Sequence, residues 1–198
     1  VPKLIKIRQS ATGLVHLTTD QRELLTARHV IAADGADSQV RRLLHLPSVG
    51  RSAFAIEADL ELAANAKIQP AIFDFDAIQG GYGWLFPKGN NCNIGIALMQ
   101  GTRSNLSHPL ESLIHQYGMG ASKVGKGRGA AIGSFSPETC LGIERILLCG
   151  DAAGLADPWT GEGISTAFQS GRAAGIAVMH HIQHQDDALE HYQKNLSP

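Results

Sequence analysis

The chain has 198 residues, with 17 Lys and Arg against 18 Asp and Glu, a formal charge of −1. Hydrophobic residues make up 43% and charged residues 18%, a globular composition that excludes a disordered tail, a collagen-like repeat and a nucleic-acid binder working through bulk positive charge. No apolar run reaches the roughly 18 residues of a membrane span, and the excess is in glycine, 22 residues against 8 prolines.

The chain opens on Val1, just ahead of a strand pattern, and is expected to be a piece of a longer protein. From Leu4 to Arg8, Ile5 and Ile7 alternate with Lys6 and Arg8, and Leu14–Thr18 follows across a turn at Gly13, which predicts a hairpin. Val30–Ala33 is a short continuous apolar run, expected to be a strand buried on both faces. It ends at Asp34-Gly35, and Gln39–Leu46 is expected to be a helix with Asp37 or Ser38 as its N-cap. Ser52–Leu62 alternates, with Phe54, Ile56, Ala58 and Leu60 on one side and Glu57, Asp59 and Glu61 on the other. Ala71–Ile78, Gly83–Pro87 and Asn93–Met99 complete a half-buried antiparallel sheet. Leu110, Leu113, Ile114 and Tyr117 give His108–Gly118 a helical spacing, and Ala130–Phe135 is expected to be a further strand. Arg145–Cys149 is a second buried-strand run. A long helix follows, with Ile164, Phe168, Gly171, Gly175, Val178 and Ile182 on one stripe, and Gly171, Ala174 and Gly175 are expected to let it lie close against a sheet. The fold class expected is α/β, with α+β character in the inserted part: residues 1–50 and 137–198 form one domain, interrupted by an antiparallel-sheet domain at residues 51–136.

The strongest motif is Cys149-Gly150-Asp151, followed by Pro158, Thr160, Gly161, Glu162, Gly163 and Ile164. A buried strand runs into Gly-Asp at its carboxyl end, where open α/β sheets bind ligands. Asp151 can accept hydrogen bonds from hydroxyls, and Gly161 and Gly163 bring bare backbone to a helix N-terminus, whose N–H groups and dipole favour an anion. The second motif is Val30–Asp34-Gly35, which again joins a strand to a helix. Asp34 can hold the turn or a bound water. Arg41 and Arg42 lie against the helix dipole, a placement expected where one of them meets a carboxylate or phosphate.

These pieces resemble the Asp-Gly and Gly-Asp motifs of the group A flavoprotein monooxygenases and reductases. Gly81-Tyr82-Gly83-Trp84-Leu85-Phe86-Pro87 is similar to the Y-x-W-x-F-P signature of the geranylgeranyl reductase family within that superfamily, and the three motifs occur in family order. The resemblance implies a partial FAD-binding, Rossmann-like domain interrupted by a substrate domain. Asp151 and Gly150 would lie at the ribityl chain or pyrophosphate of FAD, Asp34 and Gly35 near the pyrophosphate with Arg41, and Pro158, Thr160, Gly161, Gly163 and Ile164 along the isoalloxazine. The helix terminus would then face the anion of the reduced ring. Tyr82, Trp84, Phe86 and Pro87 would lie on the substrate-domain sheet over the flavin, against an apolar prenyl chain, with NAD(P)H or ferredoxin as electron donor. The implied activity is reduction of isoprenoid C=C bonds, and no catalytic side chain is named because the flavin does the chemistry. The alternatives are an FAD monooxygenase or halogenase, and a non-catalytic lipid-binding remnant. The superfamily's Gly-x-Gly-x-x-Gly strand–helix unit is missing, since Gly125–Ala130 fits only as a string. The 198 residues by themselves are therefore expected not to retain FAD.

Three cysteines, Cys92, Cys140 and Cys149, match neither zinc nor redox spacing and are expected to be small hydrophobes in a reducing cytosol. His180 and His184 have a metal-capable spacing, but no metal is expected, and the stretch through His191 is expected to be a solvated amphipathic tail. The localisation expected is cytoplasmic, compatible with peripheral membrane contact, without nucleic-acid partners.

Overall fold

The structure is a computed structural model that describes residues 2–47, 49–61, 70–99, 106–117, 122–133, 139–158 and 160–196, with backbone alone at 51–52, 122–126 and 131. It divides into two compact units, Val1–Gly50 with Gly133–Pro198, and Arg51–Ile132.

The first unit begins with an antiparallel meander, β1 (Leu4–Gln9), β2 (Val15–Thr19) and β3 (Leu24–Ala27). Gly13, at a φ of 80°, makes the first turn. Register shifts between Leu4 and Lys6, and this irregularity leaves Ile5 49% exposed while Ile7, on the same expected face, is 6% exposed. β3 is not evident in the sequence because both its leucines, Leu24 and Leu25, face solvent.

β4 (Val30–Ala32) pairs in parallel with β11 (Ile146–Leu148), which also holds the two-residue β10 (Gly142–Ile143). Ile146, Leu147 and Leu148 are almost wholly buried. β4, the outer strand of this three-stranded sheet, departs from the expectation of burial on both faces: Ile31, on the face opposite Val30 and Ala32, is 39% exposed. Helix α1 (Gln39–Leu43) is capped by Ser38, whose Oγ accepts from the Arg41 N–H. It is one turn, shorter than expected, because His45 takes a positive φ.

Helix α3 (Ile164–His184) buries Ser170, Ala173, Ala174 and Ala177. Of the residues expected at the core contact, Ala174 is fully buried and Val178 packs partly against the core, but Ile164 is 73% and Phe168 77% exposed, and a Cβ on Gly171 or Gly175 would meet only open space. The small-residue face lets the backbone of α3 lie close to the sheet, which the larger side chains would prevent. Gln185, left-handed at a φ of 62°, ends α3. The chain then forms α4 (Ala188–Leu196) rather than a solvated tail. Tyr192 is fully buried and its hydroxyl donates to the Leu148 carbonyl at 2.8 Å.

The second unit is a five-stranded sheet in the order β6-β7-β8-β5-β9: β5 (Arg51–Glu61), β6 (Ile72–Asp74), β7 (Gly81–Lys88), β8 (Asn91–Met99) and β9 (Ser122–Gly133). Helix α2 (Ser107–Gln116) packs Leu110 and Leu113 against Ile56, Ala58, Leu60, Leu85 and Ile94. β6 is shorter than expected because Asp74 turns the chain, accepting from the Asp76 N–H at 2.9 Å and from the Tyr117 hydroxyl at 2.9 Å. Gly125–Ala130 lies inside β9, and Phe135 falls outside the described residues.

Candidate functional site

In the first unit, β4 and β11 both run into glycine-containing turns at their carboxyl ends. After β11 the chain enters a single 3-10 turn, Gly150–Ala152, with Gly150 at a φ of 54°. The Gly150 N–H donates to Ser170 Oγ at 2.9 Å, and Ser170 in turn donates to the Thr166 carbonyl at 2.6 Å. The turn is thereby fixed to the first turns of α3 by a serine that no sequence motif singled out.

The Asp151 carboxylate stands against Gly163: a Cβ built there would lie 2.9 Å from Oδ1. Asp151 is exposed, and no hydrogen bond to its carboxylate is recorded among the described residues. The two halves of the Gly-Asp motif, twelve positions apart, thus meet in one open carboxylate-and-backbone cradle. Between them the loop closes on itself. Asp157 Oδ1 accepts from the Thr160 N–H at 2.7 Å and from the Thr160 hydroxyl at 2.9 Å, and the Gly161 N–H donates to the Asp157 carbonyl at 2.9 Å. Pro158 is exposed on this loop, and Trp159 lies outside the described residues.

The expectation of bare first-turn donors on α3 is corrected by Glu162. Its Oε1 accepts from the Ser165 N–H at 2.7 Å and its Oε2 from the Ser165 hydroxyl at 2.5 Å. These bonds, the Ser165 hydroxyl foremost, hold the Glu162 carboxyl below the usual carboxylate range. An acidic group at a helix N-terminus satisfies the orphan donors and the dipole together. Gly163, the N-cap, makes no side-chain bond, and Ile164 is exposed beside it.

At the other strand end, Asp34 holds the turn: Oδ2 accepts from the backbone N–H groups of Gln39 at 2.7 Å and Val40 at 3.1 Å. Gly35, at a φ of 79°, has nothing within 4 Å of its missing Cβ. Arg41 differs from expectation. It is 7% exposed, and its guanidinium donates to the carbonyls of Ala152 at 2.9 Å, Pro47 at 2.7 Å and Cys140 at 3.0 Å. No phosphate or carboxylate partner is needed to explain its placement, because three carbonyls meet the planar fork of donors. Arg41 joins α1 to the Gly150–Ala152 turn, and so links the two strand ends.

In the second unit, Gly83 and Leu85 face α2, so Tyr82, Trp84 and Phe86 share the opposite face of β7. They lie outside the buried core. Phe73, paired with Trp84 across β6, and Phe75 join them, 56% and 73% exposed. Ring centroids are 5.2 Å apart for Phe73 and Phe86, and 6.1 Å for both Phe73 and Phe75 with Tyr82. The sequence reading missed these two, although alternation along residues 73–75 signals them. The Trp84 indole lies over Gly95, where a Cβ would come within 2.1 Å of the ring. Its Nε1 donates to Asn93 Oδ1 at 2.7 Å. Pro87 falls on the α2 side of β7, opposite these rings, in register with Cys92.

The histidines meet without forming a metal centre. His180 stacks on His191 at 4.2 Å and lies 4.5 Å from His184, and among the described residues no group of three or more His, Cys, Asp or Glu is placed to hold a metal ion. Cys92 and Cys149 are buried, Cys140 partly so. No described helix is long and apolar enough to cross a membrane.

No protein-family profile matches the chain. A protein named digeranylgeranylglycerophospholipid reductase 1 of Methanopyrus kandleri is 33% identical over 180 residues, 84% of this chain and 48% of the relative. A digeranylgeranylglycerophospholipid reductase of Methanosarcina acetivorans is 29% identical over 206 residues, 94% of this chain and 50% of its own length. The chain thus spans about half the length of the curated relatives it matches. A geranylgeranyl bacteriochlorophyll reductase-like protein of Thermoplasma acidophilum superposes with a TM-score of 0.80 at 26% identity, over 97% of this chain and 51% of that one. A flavin-dependent halogenase matches at a TM-score of 0.72 and 20% identity, over 98% of this chain and 39% of the halogenase, a likeness of fold. In sequence over most of its residues and in fold over nearly all of them, the chain is similar to proteins named as geranylgeranyl-type reductases.

Proposed function

We propose that the chain is the part of an FAD-dependent oxidoreductase that carries the Gly-Asp cofactor loop and the substrate sheet, and that the complete enzyme reduces C=C bonds of an isoprenoid chain. The observation that carries this reading is the cradle between Asp151 and Gly163. An open carboxylate at the end of a parallel strand accepts hydrogen bonds from the hydroxyls of a ribityl chain. The glycine leaves that approach clear, and the positive end of α3 lies beside it. The open backbone at Gly35 suits the pyrophosphate side. Pro158, Thr160 and Ile164, all exposed, and the half-buried Gly161 form the rim on which the ring system would lie, and Gly150 sets the direction of the turn. Arg41 contributes by holding the two strand ends together. When bound, FAD supplies the hydride chemistry, with NAD(P)H or ferredoxin as the source of electrons.

The chain's own contribution is positional. The α3 terminus, with Glu162 as its resident counter-charge, sets the electrostatics at the loop. The aromatic face of β6 and β7 binds an apolar chain by burial of area and excludes water from it.

The test is anaerobic turnover of the full-length protein with FAD, a reductant and a prenyl lipid, followed by mass spectrometry. A gain of hydrogen at the prenyl double bonds supports the reading. Oxygen-dependent consumption of NAD(P)H with an oxygenated or halogenated product would replace it with a monooxygenase or halogenase.

A further inference from the structure

The face of the second unit that bears the aromatic rings is not apolar throughout. Its rings lie on β6 and β7, and its charged groups on β5 and β9, with Lys88 at the end of β7. In the middle, Asn93 and Gly95 of β8 lie under and beside Trp84. On β5, Glu57 and Asp59 occupy the positions opposite Gly95 and Asn93. Arg128, on β9, lies 2.7 Å from Asp59 and 3.7 Å from Glu57, and Lys88 is 3.7 Å from Asp59. Five strands at ~4.8 Å spacing make this face about 19 Å wide, a span suited to several isoprene units.

A continuous hydrogen-bond line joins the two halves. The Trp84 indole donates to Asn93, the Asn93 amide donates to Asp59 Oδ1 at 3.0 Å, and Arg128 donates to Asp59 Oδ2. The Asn93 amide foremost, with Lys88 and Arg128, holds the Asp59 carboxyl below its ordinary value, so it is an acceptor at neutral pH.

We propose that this face binds one amphiphile laid across the strands, its prenyl chain on the rings of β6 and β7 and a hydroxyl-bearing head group at Asp59 and Arg128. The inference rests on the reading of this face as the substrate surface and adds the polarity of the substrate and its direction. The head group is a hydroxyl because the charges cancel, two cations against two carboxylates. A phosphate needs surplus positive charge, whereas a hydroxyl donates to one member of such a pair and accepts from the other.

The test is titration calorimetry of the full-length protein with farnesol, farnesyl methyl ether and farnesyl phosphate, with Trp84 emission as a second readout. Farnesol is expected to bind about tenfold more tightly than its ether, the size of one hydrogen bond to a charged group. Asp59→Asn should bring that ratio near one while leaving the ether unchanged. Phe73→Ala should weaken all three ligands alike. If Asp59→Asn does not fold, Arg128→Gln serves, with the same loss of ratio expected. A ratio unmoved by either variant overturns the proposal, as does farnesyl phosphate binding most tightly through Arg128. Prenyl reduction with none of the three ligands binding removes this site and leaves the reductase reading standing. Farnesol binding without prenyl reduction removes the reductase reading and leaves the site.

Discussion

Gly163 and Asp151 are in close approach: a Cβ on Gly163 would stand 2.9 Å from Asp151 Oδ1, so the carboxylate would have to shift to admit one. Gly163→Ala is therefore expected to push the carboxylate out of the cradle. In the full-length protein FAD should dissociate about tenfold more readily, ~1.4 kcal/mol, read from the fluorescence of released flavin. Unchanged retention would separate the cradle from cofactor binding.

Arg41 gives a stability prediction. Arg41→Met removes three donors from the carbonyls of Ala152, Pro47 and Cys140. Urea unfolding should show a loss of roughly 3 kcal/mol or more. Arg41→Lys should recover little of it, because an ammonium lacks the planar fork that reaches three acceptors.

Glu162 neutralises the start of α3 through Ser165. With FAD bound as proposed, Glu162→Gln removes a negative charge close to where the reduced ring would carry its own. The two-electron potential should rise by about 20 mV, measurable by redox titration. A fall would show that this terminus does not face the ring.

His29 makes the fold acid-sensitive. Neither ring nitrogen has a hydrogen-bond partner, and both are shielded from solvent. Burial, and then His181, Arg145 and Arg28, lower its pKa from the ordinary 6.5. A lowered folded-state value means that the unfolded chain binds the proton more readily, so this contribution is fully present above pH 6.5 and is lost as pH falls through the depressed value. His29→Phe should flatten the pH dependence of the melting temperature in that window, and an unaltered profile would assign the sensitivity elsewhere.

Tyr192 anchors α4 through its hydroxyl on the Leu148 carbonyl. Burial raises the phenol's pKa, so it stays a donor throughout the accessible range. Tyr192→Phe should cost about 1–2 kcal/mol by leaving a buried carbonyl without this donor, measured by denaturant unfolding. No change would mean that the carbonyl finds another donor.

Most strands and helices, though not β3, β10 or α4, and the addresses of the two glycine turns were legible because strand periodicity, an apolar run and a glycine at its end are local signals. So was the shared face of Tyr82, Trp84 and Phe86, which follows from the pleat alone. Three assignments depended on what lies across space. The stripe of Ile164 and Phe168 has the correct helical period, but alanines and Ser170 face the sheet because the contact is too close for larger side chains. Arg41 has an unfavourable place by the dipole rule, and only the arrival of three carbonyls from distant segments explains it. Glu162 looks like a spacer between two glycines, yet it caps the helix those glycines introduce. The sequence alone determined which segments become most of the strands and helices and where the chain turns, since those follow from propensity and periodicity. The tertiary structure decided which polar groups are already satisfied and which, like Asp151, remain open, because hydrogen-bond partners are chosen by proximity between segments far apart in the chain.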